Sequence, residues 1–413
     1  MGETNMEALI AVFKSWFVYT VAAVGLLYVV LKVFSTVRHK SGRRPPGPPS
    51  LPLIGHLHHL VSGFSHQTLV RIAEKYAPIM WLDLGPVDVV VVSSSDMARE
   101  ILKTQDHIFA SRPPTLVGDL VFGKGQDLVF SPLNDNARLV RKVFTTRLLS
   151  QKRIDLFKAE NGKGKFSNIM EPIIDNRLKE NTNSKSYDEE DFLDVLLAMS
   201  YFTRDQVKYL LLDIILAGTD TTSYTIVWAI TELLRHPNFM ERLQSELDDV
   251  IGKERLVEEA DLQKLEYLEA VVKETLRLHP VGVIVPRYSM EATKVAGYDI
   301  PPQYPDPKVW ENPLKFDPSR FLNSPVDVKG QYFGALPFGS GRRMCPGMNL
   351  GLVSVAYNLA QLVHACSISL PEGLTPLDVD VEEKFGLVVG KLNPLNVLIS
   401  RRLQSISSKL ISI

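Results

Sequence analysis

"PFGSGRRMCPG", residues 337–347, holds one of only two cysteines in a chain of 413 residues. Phe338, Gly341, Arg343, Cys345 and Gly347 stand in the spacing F-x-x-G-x-R-x-C-x-G. Glycines so placed let backbone N–H groups approach a sulfur and aim hydrogen bonds at it. A helix-periodic stretch, Asn349–His364, begins directly after the loop. The cysteine therefore precedes a helix N-terminus, whose dipole favours a thiolate. Such a thiolate suits a soft metal centre such as haem iron. Taken alone, the loop also reads as a structural turn with a buried thiol. A phosphate-binding loop fits less well, because no Lys-Ser/Thr pair follows the glycines.

The composition frames this loop. The chain is 45% hydrophobic with a net charge of −1, enough for a large core and without the charge excess of a nucleic-acid binder. Two cysteines exclude a disulfide scaffold and fit a reducing compartment. Cys366, in the apolar run "LAQLVHACSISL", reads as a buried structural thiol. Ser15–Leu31 carries no charge and is followed by Lys32, Arg38, Lys40, Arg43 and Arg44. With its flanks it reaches the ~20 residues that span a bilayer, and the basic side should remain cytosolic. A retained anchor is expected rather than a signal peptide, which carries its charge before the apolar run and a small-residue cleavage site after it.

Residues 1–40 are thus read as anchor and basic flank, 41–55 as a proline-rich hinge and 56–413 as the globular part. The prolines of "RRPPGPPSLPLIG" favour a stiff, extended connector. Helices are expected over His66–Tyr76, Ser95–Gln105 (capped by Ser94 or Ser95) and 137–152, with a hairpin between the first two turning at Gly85-Pro86. Residues 180–190 read as a loop. "TRDQ" is a capping box opening a helix of roughly 30 residues that stops at His236-Pro237. Pro237–Ile251, closed by Gly252, and Leu262–His279, ended by Pro280, are the next helices.

Two further constellations carry chemistry. "AGTDTT", Ala217–Thr222, interrupts the apolar long helix with Gly218, Asp220, Thr221 and Thr222. Asp and Thr there can open the hydrogen-bond ladder and hold water or dioxygen, or the hydroxyls can simply bond back to the helix carbonyls. "KETLR" places Glu274 and Arg277 on one helix face, and "FDPSRF" supplies Arg320. A carboxylate between two guanidiniums can be satisfied even when buried, although an isolated E-x-x-R spacing is more often a surface pair.

In their order along the chain, A-G-x-D-T-T, E-x-x-R, P-x-R-F and the cysteine loop resemble the signature of the cytochrome P450 superfamily. The hinge, the anchor and "KETLRLHP" resemble its plant microsomal A-type members. The resemblance implies the cytochrome P450 fold, mainly α with a small β-rich lobe, and haem b held by Cys345 as axial thiolate. It implies that Arg343, Arg141 and Arg287 contact haem propionates, that Phe338 lies against the sulfur, and that Gly341 and Gly347 shape the cradle. Asp220 and Thr221 become the acid–alcohol pair that delivers protons for dioxygen reduction. Glu274, Arg277 and Arg320 become a structural triad. The implied reaction is insertion of one oxygen atom of O2 into an apolar substrate. Electrons come from NADPH through NADPH–cytochrome P450 reductase, docked on the basic face around Arg138, Lys142 and Arg342. The implied location is the endoplasmic reticulum membrane with the catalytic part in the cytosol. "VDVKGQYF" and "DVEEKFGL" resemble members acting on phenolic or terpenoid compounds.

Three departures stand against that pattern. The tryptophan of the family's W-R-x-x-R helix is Ala137 here, in "NARLVRK". Only about 75 residues separate Arg141 from Ala217, where the family spends more than twice as many on helices that roof the substrate pocket. "AGYDIPPQYPDPKVW" also lacks a strand and loop. The roof helices are therefore expected to be partly missing, leaving the face of the long helix wet. A catalytically impaired membrane-bound remnant, or an incomplete gene model, stands beside the active enzyme as a reading. A haem-thiolate rearrangement enzyme is a third, disfavoured by the intact Asp220-Thr221 pair.

Overall fold

The computed structural model describes residues 16, 19–20, 25, 44–51, 54–60, 66–85, 87–115, 118–119, 122, 126–149, 166–180, 191–284, 286–291, 293–300 and 315–403. Most of the expected anchor and its basic flank, residues 150–165, the loop at 181–190 and the stretch 301–314 lie outside the described residues. The chain divides into two units, Met1–Met97 with Glu291–Pro305, and Ala98–Met290 with Asp306–Ile413. Its described secondary structure is chiefly helical, with four two-stranded sheets.

In the first unit, helix α1 (His66–Tyr76) has the bounds its apolar periodicity predicts. Strands β1 (Ile79–Leu84) and β2 (Val87–Val92) pair antiparallel from Ile79↔Val92 to Leu84↔Val87. Gly85 turns the hairpin at a φ of 63° that a side chain would resist. The proline stretch is more than a spacer. The Trp81 N–H donates to the Pro46 carbonyl at 2.9 Å. His56 accepts the Asp83 N–H on Nδ1 at 2.6 Å, so its proton sits on Nε2, which donates to the Pro48 carbonyl at 2.7 Å. Gly47 has no alternative there, since a Cβ would stand 2.3 Å from the Trp81 carbonyl oxygen. The Arg44 guanidinium lies 4.2 Å from the centre of the Trp81 ring.

Helix α2 (Ser95–Arg99) follows β2, and the Ser94 hydroxyl accepts the Met97 N–H at 3.2 Å. The helix expected to run on to Gln105 instead widens into a π-helical turn, Glu100–Thr104. Helix α3 (Asp135–Val143) likewise passes into a π-turn, Phe144–Leu148, so the uniform helix expected over 137–152 is corrected. Its cap is Asn134, whose side chain accepts the Ala137 N–H. Helices α4 (Phe166–Glu180) and α5 (Phe192–Leu197) follow.

Helix α6 (Arg204–Arg235) organises the second unit. Thr203 and Gln206 form the expected capping box, and the helix runs 32 residues, about 48 Å. Val207, Leu210 and Leu211 at its start pack with α3, α5 and Ile174 of α4 in one core. Ala229 and Leu233 near its end enter a second core with α7 (Pro237–Ile251), α8 (Glu266–Leu278) and α9 (Met348–Ala365). Between the cores, Ile215 and Leu216 are 45% and 41% exposed. Among the described residues α6 alone is long and apolar enough to cross a membrane, but the packing of both ends makes it a core helix.

The helix expected over Leu262–His279 is broken at Leu265. A 3-10 turn, Glu259–Lys264, precedes α8. The cause is tertiary: Glu246 of α7 takes the Tyr267 and Leu268 N–H groups at 2.7 and 2.9 Å, capping α8 from outside. Cys366 is also corrected, from buried to half-buried, as the first residue of strand β3 (Cys366–Ser369).

Glu274, fully buried on α8, ties this unit together. It accepts from Arg277 at 2.6 and 2.9 Å and from the Asp317 N–H at 2.7 Å, with Arg320 at 3.5 Å. Deleting one member of a buried ionic set leaves uncompensated charge. Glu274→Ala is expected to destabilise the protein by about 3–5 kcal/mol, readable in urea unfolding.

Candidate functional site

The cysteine loop is closed on itself. The Cys345 N–H donates to the Phe338 carbonyl at 2.8 Å, and the Met344 N–H to the Gly341 carbonyl at 3.0 Å. Gly339 and Gly341 take φ values of 70° and 69°, and a 3-10 turn spans Gly341–Arg343. Gly341 also meets the chain elsewhere: a Cβ there would lie 1.9 Å from the Leu102 carbonyl oxygen. Gly347 caps α9 and leaves its N–H directed at the Cys345 sulfur. Phe338 packs against the second core, with its ring beside Gly351.

Burial pushes the Cys345 thiol up, against the pull of the Gly347 N–H and the Arg141 charge. Desolvation outweighs the dipole unless a cation meets the sulfur directly.

Arg141 faces this sulfur, and further arginines neighbour it. Arg343 is buried and its guanidinium donates to the carbonyls of Ala110 and Ser131, both at 2.7 Å, and of Leu128 at 3.5 Å. Burial and the neighbouring Arg112 and Arg141 charges push it down to about 10. Arg141, on α3, is held below its ordinary value by burial while the Cys345 thiol opposes that shift. Residues Ser111 and Tyr288 form an isolated bridge, which brings Arg112 and Arg287 into the same region. Arg112 donates to the Val129 carbonyl at 3.2 Å and to the Pro286 carbonyl, and Arg287 to the Ser340 carbonyl at 3.4 Å.

Tested against haem, this set fits. Backbone carbonyls satisfy the hydrogen-bonding needs of Arg343 but do not neutralise its charge, so the cluster favours an anionic ligand such as a pair of propionates. The one sulfur supplies a ligand atom on the same side, facing Arg141.

The acid–alcohol stretch lies in an unbroken α6. The Thr221 hydroxyl bonds back to the Ala217 carbonyl, and Thr225 to the Thr221 carbonyl at 2.8 Å. Of the two readings of this stretch, back-bonded hydroxyls are what the helix adopts, and the ladder is not opened. Asp220 is exposed, and nothing lies within 4 Å of where a Cβ on Gly218 would stand. Arg138, Lys142, Arg147 and Arg342 are exposed, with Arg138 on Asp135 at 2.9 Å and Arg342 on Asp106 at 3.4 Å.

Arg112, Asp127 and Asp213 were not singled out by sequence. Arg112 gives no motif. Asp213 does give a signal: a lone acid at an apolar-face position in "YLLLDIIL".

Comparison with known proteins follows the same lines. The family described as Cytochrome P450 matches residues 45–163 and 155–395, in two segments that meet where the chain is short. Salviol synthase of Salvia pomifera is 33% identical, over 89% of this chain and 95% of the relative. Costunolide synthase of Cichorium intybus is 33% identical, over 92% of this chain and 97% of the relative. The salviol synthase alignment runs 472 positions yet uses 89% of 413 residues, so roughly a hundred of its positions have no counterpart here. A solved zebra fish cytochrome P450 with abiraterone superposes with a TM-score of 0.68 at 23% identity, covering 80% of this chain and 97% of that one.

Gly341→Ala combines a disfavoured φ with a backbone clash. It is expected to cost about 1–3 kcal/mol or more, read as a lowered thermal midpoint, while Gly252→Ala, strained in φ but open in space, should lower it less.

Proposed function

Because the chain belongs to the cytochrome P450 family, we propose that it is a membrane-anchored haem-thiolate monooxygenase inserting one oxygen atom of O2 into an apolar plant secondary metabolite, terpenoid or phenolic. The observation that carries this reading is the half-buried Cys345 sulfur beside Arg141, which itself neighbours Arg343 with Arg112, a cationic set that suits a dianionic, metal-centred ligand. The names of the relatives, salviol synthase and costunolide synthase, support the terpenoid class. Haem, when bound, supplies the redox-active iron that activates dioxygen.

The roles of this chain's own residues follow from their chemistry. Cys345 is the thiolate ligand, its ionisation completed by the metal cation. Gly347 and the closed loop aim N–H groups at the sulfur and moderate its electron donation. Phe338 shields the loop from water. Arg141 and Arg287 would orient the propionates by charge-assisted hydrogen bonds, and Arg343, held on backbone carbonyls, would add its charge. Asp220 and Thr221 hold and pass protons from solvent on the exposed middle of α6, and Thr221 must exchange its bond to Ala217 to do so. Glu274, Arg277 and Arg320 fix α8 under the site. Arg138, Lys142, Arg147 and Arg342 offer a positive face to an acidic, NADPH-fed reductase. The N-terminal apolar run anchors the protein in the endoplasmic reticulum membrane.

A second reading, an impaired remnant, is favoured by one observation. The family match is split into two segments around residues 155–163, ahead of α6, and on α6 Ile215 and Leu216 are exposed.

The reduced, purified protein exposed to carbon monoxide should show the red-shifted absorption of thiolate-ligated haem, and Cys345→Ser should abolish it. Absence of that absorption in the parent would overturn the haem-thiolate reading. Its presence without NADPH- and reductase-dependent turnover of a panel of terpenoids and phenolics would establish the remnant.

A further inference from the structure

Asp127 and Asp213 are the two buried acids near the cysteine loop that the mechanism above does not use. They are 0% and 3% exposed. Asp213 sits on α6, one helical turn before Ala217, where the exposed stretch closes on the first core. Its Oδ2 accepts the Leu128 N–H at 2.6 Å. Asp127 accepts the Phe130 N–H on its own Oδ2. Among the described residues, neither Oδ1 has a hydrogen-bond partner. The carbonyls of Leu128 and Ser131, in the same short strap, receive two of the hydrogen bonds from Arg343. The strap is thus held by α6 on one side and grips the Arg343 guanidinium on the other.

We propose that Asp213 is a positioning residue: it pins the Leu128 amide, and through the 127–131 strap it sets the orientation of Arg343 two residues from Cys345. The inference rests on the haem-thiolate reading only for its consequence; the pinning itself is a property of the protein chain.

The charges in the region fit a neutral Asp213. Burial, with the neighbouring Asp127 adding to it, pushes Asp213 up to about 8. Asp127 is raised by burial too, but it faces the Arg343 charge, with Arg112 and Arg141 beyond, and Asp213 does not. Two carboxyls in one buried site do not both ionise readily, and the acid without a cationic neighbour is the one that keeps the proton. A protonated Asp213 still offers Oδ2 to Leu128 and carries its proton on Oδ1. Ionisation would bring two like charges together under the strap. Because the folded value lies above the unfolded one, the stability Asp213 contributes is complete below pH ~4 and is lost as pH rises through ~8.

Two variants separate the parts of this claim. Asp213→Asn keeps the shape and the acceptor and cannot ionise; Asp213→Leu removes the acceptor. The first readout is amide hydrogen exchange at Leu128, which needs no haem. D213L should lose most of the protection at that amide and D213N should keep it within about threefold. The second readout is haem transfer from the loaded protein to an excess of apomyoglobin. D213L should release haem on the order of tenfold faster and D213N near the parent rate at pH 7. From pH 7 to 9 release should accelerate in the parent and stay flat in D213N. Leu128 protection unchanged in D213L, or a D213N pH profile as steep as the parent's, overturns the proposal. If D213L does not accumulate, the D213N profile and its Leu128 protection decide alone. A parent that takes up no haem defeats the haem-thiolate reading, and the exchange readout still judges the pinning.

Discussion

Positive charge held out of water on backbone carbonyls, near one sulfur, is the constraint on which the second unit turns. Arg343 satisfies its donors on three carbonyls, and a carbonyl relieves a guanidinium of its hydrogen-bonding need while leaving its charge in place. Arg141 and Arg112 add to that field, and Asp127 opposes it. Such an arrangement persists because rigid neighbours hold it. The Glu274 knot locks α8, two cores clamp the ends of α6, and the loop of Cys345 is closed by its own backbone. A ligand bringing two carboxylates and a metal cation answers both halves of the problem, the surplus charge of the arginines and the reluctance of a buried thiol to ionise.

What could be read from the sequence was local or carried by spacing. The Thr203–Gln206 capping box, the stop at Gly252, the hairpin at Gly85 and the Glu274–Arg277 pair each depend on residues within a few positions of one another. The failures share one cause, contact between distant segments. Leu265 breaks an apparently continuous helical pattern because Glu246, on another helix, captures the next two amides. Gly341 gave no hint that the Leu102 carbonyl fills the space beside it. Arg112 lies far in sequence from Arg343, and no motif connects them. A helix start is visible in sequence, whereas the burial of the Cys345 thiol is not.

The shortened middle of the chain shows itself in one place. α6 is buried at its start, buried again at its end, and bare between. The bare part contains Ala217 to Asp220, so the stretch with the richest chemistry is the least covered. That leaves the apolar Ile215 and Leu216 side chains in contact with water on the open face of the helix.

The stitching of Trp81 to Pro46 and of His56 to Pro48 bears on how the protein can be handled. Soluble forms of anchored enzymes are made by cutting away the greasy leader, and the proline stretch is a tempting place for the scissors. Here the cut has to fall before residue 44. Removing the prolines would strip an edge from the first hairpin, leave the Trp81 main-chain N–H and the His56 imidazole without their acceptors, and unseat the Arg44 guanidinium from the tryptophan face.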